Sequence, residues 1–400
     1  MVWVESEIRG LLDTMGVLTQ AVVPVHLREP SPRYLVGTGK AEEIFELAQS
    51  AEVELIVIDH ELSPSQQRNW EQFCGIPVID RHEVILEIFA QRAQTREAVL
   101  QVALARLEYS LPRLTRKWTE LSQQRGGSAR TRGAGETQLE LDRRKILNRI
   151  DRIKQELKEV QKHRAVTRKG RKENLMTTAA IVGYTNAGKS TLLKTLTDAN
   201  VLVENKLFAT LDPVTRRLSL APGQDLLLTD TVGFVSRLPH QLVDAFRSTL
   251  EESLEADFLI HVVDVSDHNF QHRMSVVEEV LQDLKRSSVP ILTVLNKIDL
   301  LSPQERALLE FRFPEAVFTS LTQNLGLETL KSALLRYMEK TRVVLELALP
   351  LERVDLVRLL HHQALILSEN YQETMVEIRA LCPPALKGKL QHYLVYREEV

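Results

Sequence analysis

A glycine-rich stretch between an apolar run and a predicted helix gives the clearest chemical signal in the sequence. Gly183 opens the pattern G-x-x-x-x-G-K-S, which ends at Ser190. Glycines let backbone N–H groups close around phosphate oxygens, and the N-terminus of the following helix adds favourable partial charge. Lys189 would bridge the β- and γ-phosphates of a nucleotide, and the Ser190 hydroxyl would bind Mg²⁺. The predicted phosphate contacts are Gly183, Tyr184, Thr185, Asn186, Ala187, Gly188, Lys189, Ser190 and Thr191.

An aspartate at the end of a second apolar run predicts a metal contact. Asp230 follows Leu226–Leu228 and would hold Mg²⁺ through water, while the Gly233 N–H would contact the γ-phosphate. The predicted nucleotide contacts here are Asp230, Thr231, Val232 and Gly233. Phe234 stands where Ras-type enzymes place the glutamine that orients the attacking water. The catalytic group is therefore unknown, and we expect slow turnover by the protein alone.

A loop between these two stretches lies where the first switch of a nucleotide-dependent protein belongs. Such a loop is ordered by the γ-phosphate and released on hydrolysis. The predicted contacts in it are Phe208, Ala209, Thr210, Leu211 and Asp212. Thr210 is the preferred second hydroxyl on Mg²⁺, and Thr215 is the alternative.

The sequence Asn-Lys-Ile-Asp after a third apolar run predicts the base that is bound. The Asp299 carboxylate can accept hydrogen bonds from guanine N1–H and its 2-amino group, whereas adenine has neither donor there. Lys297 should lie along the base, and Asn296 should brace the phosphate loop. The predicted base contacts are Asn296, Lys297, Ile298, Asp299, Ser320 and Leu321. In this order and spacing, the motifs predict a GTP- and GDP-binding enzyme that uses Mg²⁺.

The elements that must position these residues are strands alternating with helices. This alternation predicts an α/β fold with a mainly parallel sheet, helices on both faces and the ligand at the carboxyl ends of the strands. We predict four domains: residues 1–112 (N-terminal α/β), 113–172 (basic helical hairpin), 173–340 (GTP-binding) and 341–400 (small C-terminal α+β). In the first domain the predicted strands are Ala21–Val25, Leu55–Asp59 and Ile76–Asp80, and the predicted helices are 40–50 and 65–73.

The hairpin is predicted from a heptad-like seam. Ile146, Ile150, Ile153, Leu157 and Val160 are spaced by four and three residues in turn, which requires one partner helix. The proposed partner surface consists of Val99, Leu100, Ala103 and Leu107. Between the two helices, residues 125–136 hold four glycines and three arginines, and we expect a flexible loop at the tip of the hairpin.

Charge is unevenly distributed along the chain. The net charge is −3, but residues 113–172 hold 19 Lys/Arg against 7 Asp/Glu and therefore carry +12. Such a block suggests a polyanionic partner in addition to the nucleotide, and the alternative is a solvated helical face.

Other candidate sites in the sequence carry less chemistry. Gly37-Thr38-Gly39-Lys40 resembles a phosphate loop but lacks the four-residue spacer and the hydroxyl after lysine, so we predict a tight turn into a helix. Cys74 and Cys382 stand alone, and we expect no metal site at the histidine pairs His361/His362 and His268/His272. No apolar run approaches 18 residues, and we expect a cytoplasmic protein without an integral membrane segment.

Taken together, the motifs resemble the HflX family of translational GTPases. The resemblance covers residues 6–340. It is carried by the nucleotide motifs, by residues 37–43, 62–69, 78–81 and 88–93, and above all by 126–144, which include the Gly/Arg loop. The chain departs from the family pattern at Leu321, where an alanine is usual, and by starting without the first N-terminal strand.

This resemblance implies a GTPase that binds ribosomes, chiefly the large (50S) subunit, and splits or rescues stalled or idle particles, often under stress. The N-terminal domain and its Gly-rich loop would face ribosomal RNA. The predicted RNA contacts are Arg125, Gly126, Gly127, Arg130 and Arg132. Resemblance and the side-chain carbonyl of Asn186 together suggest K⁺ beside the phosphates, and the alternative is that Asn186 only stabilises the loop turn. A signalling GTPase switch docked on a protein or membrane is the alternative function, and we expect a monomer in either case.

Overall fold

The computed structural model describes residues 2–114, 131–173, 176–197, 207–221, 224–237, 256–284 and 289–395. They form two compact units. The first contains residues 2–114, 131–161, 207–208 and 237, and the second contains the remaining described residues.

Helices surround a short parallel sheet in the first unit. Its elements are α1 (Val2–Met15), α2 (Thr38–Ser50), β1 (Ile56–Ile58), α3 (Pro64–Cys74), β2 (Val78–Asp80), α4 (Arg81–Arg92), α5 (Arg96–Ser110) and the start of α6 (Thr131–Glu173). Ser63 begins α3 with a capping box that includes Gln66, as the Ser-Pro pair predicts. The fully buried Trp70 anchors α3 in the core, where its Nε1 donates to the Tyr34 carbonyl at 2.8 Å.

One predicted strand of the first unit is wrong. Ala21–Val25 has no strand structure, whereas β1 and β2 pair in parallel from Ile56↔Val78 to Ile58↔Asp80. Pro24 lies within Ala21–Val25 and has no N–H to donate to a β-ladder. The apolar composition of this segment therefore does not make it a strand.

The predicted packing of the two helices is confirmed, with corrections at Val99, at Val160 and at residues 131–136. Apolar residues of α5 and α6 form one cluster: Leu100, Ala103, Leu104, Leu107, Leu111, Ile146, Ile150, Ile153 and Leu157. Val99 is instead 48% exposed, and Val160 is not part of this cluster. The helix also begins at Thr131, so the predicted loop is wrong for residues 131–136.

Glycines within that helix explain why a loop was predicted for residues 131–136. Each glycine in a helix interior costs about 1 kcal/mol relative to alanine, so Gly133 and Gly135 favour a loop locally. Extension of an existing helix still gains one hydrogen bond per residue. Arg132 lies on this helical backbone, whereas Arg125, Gly126, Gly127 and Arg130 lie outside the described residues.

The second unit contains a six-stranded sheet that confirms the predicted fold class. Its elements are β3 (Thr177–Val182), α7 (Lys189–Thr197), β4 (Val214–Ala221), β5 (Gln224–Asp230), β6 (Phe258–Asp264), α8 (Phe270–Asp283), β7 (Ile291–Asn296), α9 (Pro303–Arg312), β8 (Val317–Thr319) and α10 (Leu327–Thr341). The order is β4-β5-β3-β6-β7-β8, parallel except for the edge strand β4. The register pairs Asp264 with Asn296 and Asn296 with Thr319. Polar residues at the carboxyl ends of neighbouring strands therefore meet at one edge.

A smaller antiparallel sheet follows in the same unit. Its elements are β9 (Val343–Pro350), α11 (Val354–Gln363), β10 (Leu365–Tyr371), β11 (Met375–Cys382) and α12 (Pro384–Leu390), with strand order β10-β11-β9. These bounds confirm the strands that the sequence predicts around Val343–Leu349 and Thr374–Ile378, and the helices that it predicts after Pro350 and Pro384. We did not predict β10, because the polar run Ser368-Glu369-Asn370 hides its alternation. No helix in the part of the chain that the structure describes is long and apolar enough to span a membrane.

Candidate functional site

The phosphate loop between β3 and α7 is crowded at both of its motif glycines. Gly183 has φ +150°, and a Cβ atom there would lie 2.2 Å from the Val262 carbonyl oxygen. Gly188 has φ +104°, and a Cβ atom there would lie 2.4 Å from the side-chain nitrogen of Asn296. These positions require glycine for both conformation and space. The loop therefore has the backbone that the sequence pattern predicts.

Lys189 begins α7 with its ammonium group inside the protein. It is 6% exposed, and its Nζ donates to the Tyr184 carbonyl at 2.8 Å. Burial lowers the pKa of Lys189 to about 8, although the charge of Asp230 acts in the opposite direction. A buried ammonium is stabilised by an anion, and a nucleotide phosphate fits this environment.

Three oxygen-bearing side chains meet beside this lysine. Ser190 Oγ and Thr210 Oγ1 both donate to Asp230 Oδ2, at 2.7 and 3.0 Å, and lie 2.8 Å from each other. The other oxygen of Asp230, Oδ1, is buried and has no partner among the described residues. Thr215 is not part of this group, since it lies on β4 and bonds the Thr229 hydroxyl at 2.9 Å. The structure therefore favours Thr210 over the alternative.

The chemistry of this group fits Mg²⁺ together with a nucleotide. Burial raises the pKa of Asp230, and the nearby Lys189 charge and the Ser190 and Thr210 hydroxyls oppose that rise. A divalent cation would stabilise the ionised form. Mg²⁺ usually takes one or two carboxylates and completes its shell with water and substrate phosphate. One carboxylate and two hydroxyls therefore suit an Mg²⁺ ion that a nucleotide phosphate helps to bind.

Asn296, the last residue of β7, contacts the phosphate loop, and Asp299 follows it closely. Asn296 Nδ2 donates to the Ala187 carbonyl at 2.9 Å, and Asn296 Oδ1 accepts from the Leu321 N–H at 3.2 Å. Asn296 thus joins the phosphate loop to the Ser320–Leu321 turn. Asp299 Oδ1 is buried without a partner among the described residues, as a carboxylate that receives guanine N–H groups would be.

Sequence reasoning missed the partner of Lys297. Lys297 Nζ forms a 2.6 Å ion pair with Asp264, the last residue of β6, and Ser266 donates its hydroxyl to the same carboxylate. The backbone at Lys297 is left-handed, with φ 68°. The sequence does show that Asp264 lies at the end of a strand. Its ion pair with Lys297 could not be predicted, because it depends on β6 lying next to β7 in the sheet.

The stretch after Asp230 is hydrogen-bonded to the phosphate loop. Phe234 N–H donates to the Gly183 carbonyl at 3.1 Å, and Thr185 N–H donates to the Phe234 carbonyl at 2.7 Å. Ser236 N–H donates to the Tyr184 hydroxyl at 2.6 Å. The Phe234 side chain is 1% exposed. These contacts extend β3 by one parallel bridge and fix the residues that follow Gly233.

The predicted first-switch residues divide between the two units. Ala209–Asp212 belong to the second unit with Ser190 and Asp230, whereas Phe208 belongs to the first. Phe208 is buried there and packs edge-to-face on Phe89, with ring centres 4.8 Å apart. Its predicted nucleotide contact stays a prediction.

Family models match three successive parts of the chain. A model described as GTP-binding GTPase N-terminal matches residues 5–90, one described as GTP-binding GTPase Middle Region matches 92–171, and one described as 50S ribosome-binding GTPase matches 178–297. The order of these matches follows the order of the elements described above.

Curated relatives match the chain over most of its length. The GTPase HflX of Akkermansia muciniphila is 43% identical over 98% of this chain and 92% of its own. The GTPase HflX of Treponema denticola is 48% identical over 82% of this chain and 86% of its own. That of Escherichia coli is 44% identical over 82% of this chain and 78% of its own. With identity at this level across so much of both sequences, the chain is a GTP-hydrolysing enzyme and belongs to the HflX family of GTPases.

Proposed function

We propose that this GTPase acts in the cytoplasm on ribosomes, binds chiefly the 50S subunit, and splits or rescues stalled or idle particles. The observation that carries this proposal is the charge of α6 and of the segment before it. Residues 161–172, the last three turns of α6, contain six Lys/Arg and no Asp/Glu. RNA is densely anionic, and such a segment can exchange its counterions for phosphate contacts.

The middle of α6 supports the same proposal in part. Arg143, Arg144 and Arg149 are exposed and form no ion pair with described residues. Other basic residues here are paired, such as Lys154 with Glu108 at 2.8 Å. RNA contacts at Arg125, Gly126, Gly127, Arg130 and Arg132 remain part of the proposal.

One basic residue of the segment has an internal role instead. The Arg113 guanidinium stacks on the Tyr109 ring at 3.6 Å and donates to the Leu62 carbonyl at 2.7 Å. It also lies 3.5 Å from the buried Asp80 carboxylate. Arg113 therefore ties the end of α5 to the core of the first unit, and we do not assign it to RNA.

Within the nucleotide site we assign roles to the residues brought together above. Lys189 neutralises the β- and γ-phosphates, and Ser190, Thr210 and Asp230 hold Mg²⁺, which would offset charge that develops on the phosphates. Asp299 selects guanine, and Asn296 holds the loop and the base contacts in one geometry. We further propose that the Asn186 carbonyl helps to bind K⁺, and equal GTPase rates in KCl and NaCl would contradict that assignment.

Hydrolysis by the protein alone should be slow. The buried ring of Phe234 offers no polar atom to the attacking water, so unaided turnover should be on the order of 10⁻⁴ to 10⁻² per second. We propose that the ribosome supplies or orders the missing group. Equal turnover with and without 50S subunits would contradict this proposal.

The test of ribosome action is sedimentation of 70S ribosomes with the full chain and a non-hydrolysable GTP analogue. Wild type should co-sediment with 50S subunits and increase free subunits, and added salt should weaken the association. A charge variant would change six residues to glutamine: Lys162, Arg164, Arg168, Lys169, Arg171 and Lys172. A control would change exposed, ion-paired residues of the second unit to glutamine, namely Arg306 and Lys331.

The charge variant should bind ribosomes more weakly and with a smaller salt dependence, while the control behaves as wild type. Salt-sensitive binding to anionic liposomes without binding to ribosomes would favour a signalling switch and contradict the proposal.

A further inference from the structure

The ion pair between Lys297 and Asp264 lies at the base end of the proposed nucleotide site. Lys297 Nζ and Asp264 Oδ2 are 2.6 Å apart, and the Asp264 side chain is only 12% exposed. Asp264 ends β6, and the neighbouring strand β7 ends at Asn296, immediately before Lys297. A shielded pair of this kind is screened less by salt than a surface pair, and surface pairs contribute little. This pair can therefore hold the lysine side chain in one place.

Asp264 is itself held by the loop that follows β6. Its Oδ1 accepts from the Ser266 hydroxyl at 2.5 Å and from the Ser266 N–H at 3.1 Å, while Oδ2 accepts from Lys297. The Val265 N–H donates to the Asn296 carbonyl at 3.1 Å, so this loop is bonded to the end of β7. The acceptor for the lysine is thus fixed by a second set of hydrogen bonds, as a preorganised binding site requires.

Lys297 is held at both ends of its side chain. Its backbone is left-handed, with φ 68°, and it precedes the 3₁₀ turn Ile298–Leu300, in which the Leu300 N–H donates to the Lys297 carbonyl at 3.1 Å. Its ammonium group is held by Asp264. The stem between these two points consists of four methylene groups, and lysine stems commonly cover apolar surfaces while the charged end is solvated or paired. The stem is therefore placed to cover the flat face of a base.

We propose that Asp264 is a positioning residue for guanine-nucleotide binding, which holds the stem of Lys297 against one face of the base. Asp299 recognises the polar edge of guanine, and the Asp264–Lys297 pair fixes the side chain that lies along the ring. Loss of Asp264 releases the lysine ammonium, so the base loses a fixed contact and the nucleotide dissociates faster. This inference rests on the proposed nucleotide site.

The test measures dissociation of fluorescent GDP and of a fluorescent non-hydrolysable GTP analogue from the full chain. Asp264→Asn keeps the size of the side chain and removes its charge, whereas Lys297→Met keeps an unbranched stem and removes the ammonium. Each variant should raise the dissociation rate about 10- to 100-fold, the factor that corresponds to loss of a hydrogen bond between charged groups. The two nucleotides should be affected equally, because they share the base. Single-turnover hydrolysis of bound GTP should stay within about twofold of wild type, since no phosphate contact is changed.

Two further variants separate positioning from a general structural role. Asp264→Asn combined with Lys297→Met should release nucleotide no faster than the faster single variant, because both changes break the same pair. Ser266→Ala removes one donor to Asp264 and leaves the pair, so it should raise both rates about two- to fivefold. It also provides the test if Asp264→Asn does not fold.

Asp257→Asn is the control at the opposite end of β6. Asp257 precedes this strand, and its carboxylate accepts from the Thr178 N–H and hydroxyl at 2.7 and 2.9 Å. This variant loses a charged hydrogen-bond acceptor away from the carboxyl ends of the strands, and its dissociation rates should equal those of wild type.

Wild-type rates in Asp264→Asn, or effects that multiply in the double variant, would overturn the proposal. An effect confined to the GTP analogue would also overturn it, since that result would place the change at the phosphates. If Lys297→Met and Asp299→Asn both bind GDP as wild type does, the proposed base site fails and this inference fails with it. If those two variants bind GDP more weakly while Asp264→Asn does not, the base site stands and only the role of Asp264 is rejected.

Discussion

Two Gly-Lys turns lead into helices in this protein, and only one has the structure of a phosphate site. At Gly37–Lys40, a Cβ atom on either glycine would meet nothing within 4 Å, and Gly37 has an ordinary φ of −66°. Lys40 lies on the surface and pairs with Glu43 at 2.6 Å. At Gly183–Ser190, both motif glycines have positive φ and no room for a side chain, and the lysine is buried.

A phosphate site therefore depends more on how the loop folds back than on its composition. The four-residue spacer lets the second loop curve round so that its backbone and lysine face one point, and Asn296 supports the curve from another strand. The shorter turn simply starts α2, as predicted from its missing spacer and hydroxyl. Matched substitutions in the two turns should therefore have different effects on nucleotide binding.

The largest effect is expected from a methyl group in the crowded loop. Gly188→Ala places a Cβ atom against Asn296 at a backbone conformation that alanine rarely adopts. GDP affinity should fall by about 100-fold or more, since the loop must open to relieve the contact. In Gly39→Ala, affinity should not change and the free energy of unfolding should rise by up to about 1 kcal/mol. Equal nucleotide binding by both variants, measured by calorimetry, would contradict the comparison.

A smaller but more selective effect is expected at the base. Asp299→Asn presents an N–H donor where guanine needs an acceptor, so GDP affinity should fall about 10- to 100-fold. Binding of the xanthine analogue, whose C2 carries a carbonyl oxygen, should improve at the same time. A competition experiment with the two nucleotides gives the ratio of their affinities directly. An unchanged preference for GDP would show that Asp299 does not contact the base.

GDP binding should also depend on pH through Lys189. Burial lowers the pKa of Lys189 to about 8, and phosphate binding requires the ammonium form. GDP affinity should therefore be full below pH 8 and fall about tenfold per pH unit above it. Lys40→Met should show the same profile as wild type, because Lys40 contacts no predicted ligand. A profile that stays flat to about pH 9.5 would show that Lys189 does not titrate as stated.

The sequence could place the motifs of Ser190 and Asp230 next to each other, because each lies at the end of a strand and parallel strands end at one edge of the sheet. Ser190 and Asp230 accordingly lie within hydrogen-bond distance, and Thr210, which precedes the antiparallel strand β4, joins them. That these residues bind a nucleotide stays a prediction. The pairing of Lys297 with Asp264 could not be predicted, because it depends on β6 lying next to β7.

Local composition misled the prediction where long-range pairing decides the structure. Ala21–Val25 has strand composition but no partner strand, and residues 131–136 have loop composition but continue α6. Pro24 removes a donor that a strand at Ala21–Val25 would need, and residues 131–136 extend a helix whose packed residues lie further along α6.

Calorimetric titration of the full chain with GDP and Mg²⁺ tests the central distinction most directly. Wild type and Lys40→Met should each bind one GDP with the same affinity, Lys189→Met should lose most binding heat, and ADP should not compete in any of them. Two GDP per chain, or a loss of binding in Lys40→Met comparable with that in Lys189→Met, would contradict the assignment of a single guanine-nucleotide site to Gly183–Ser190.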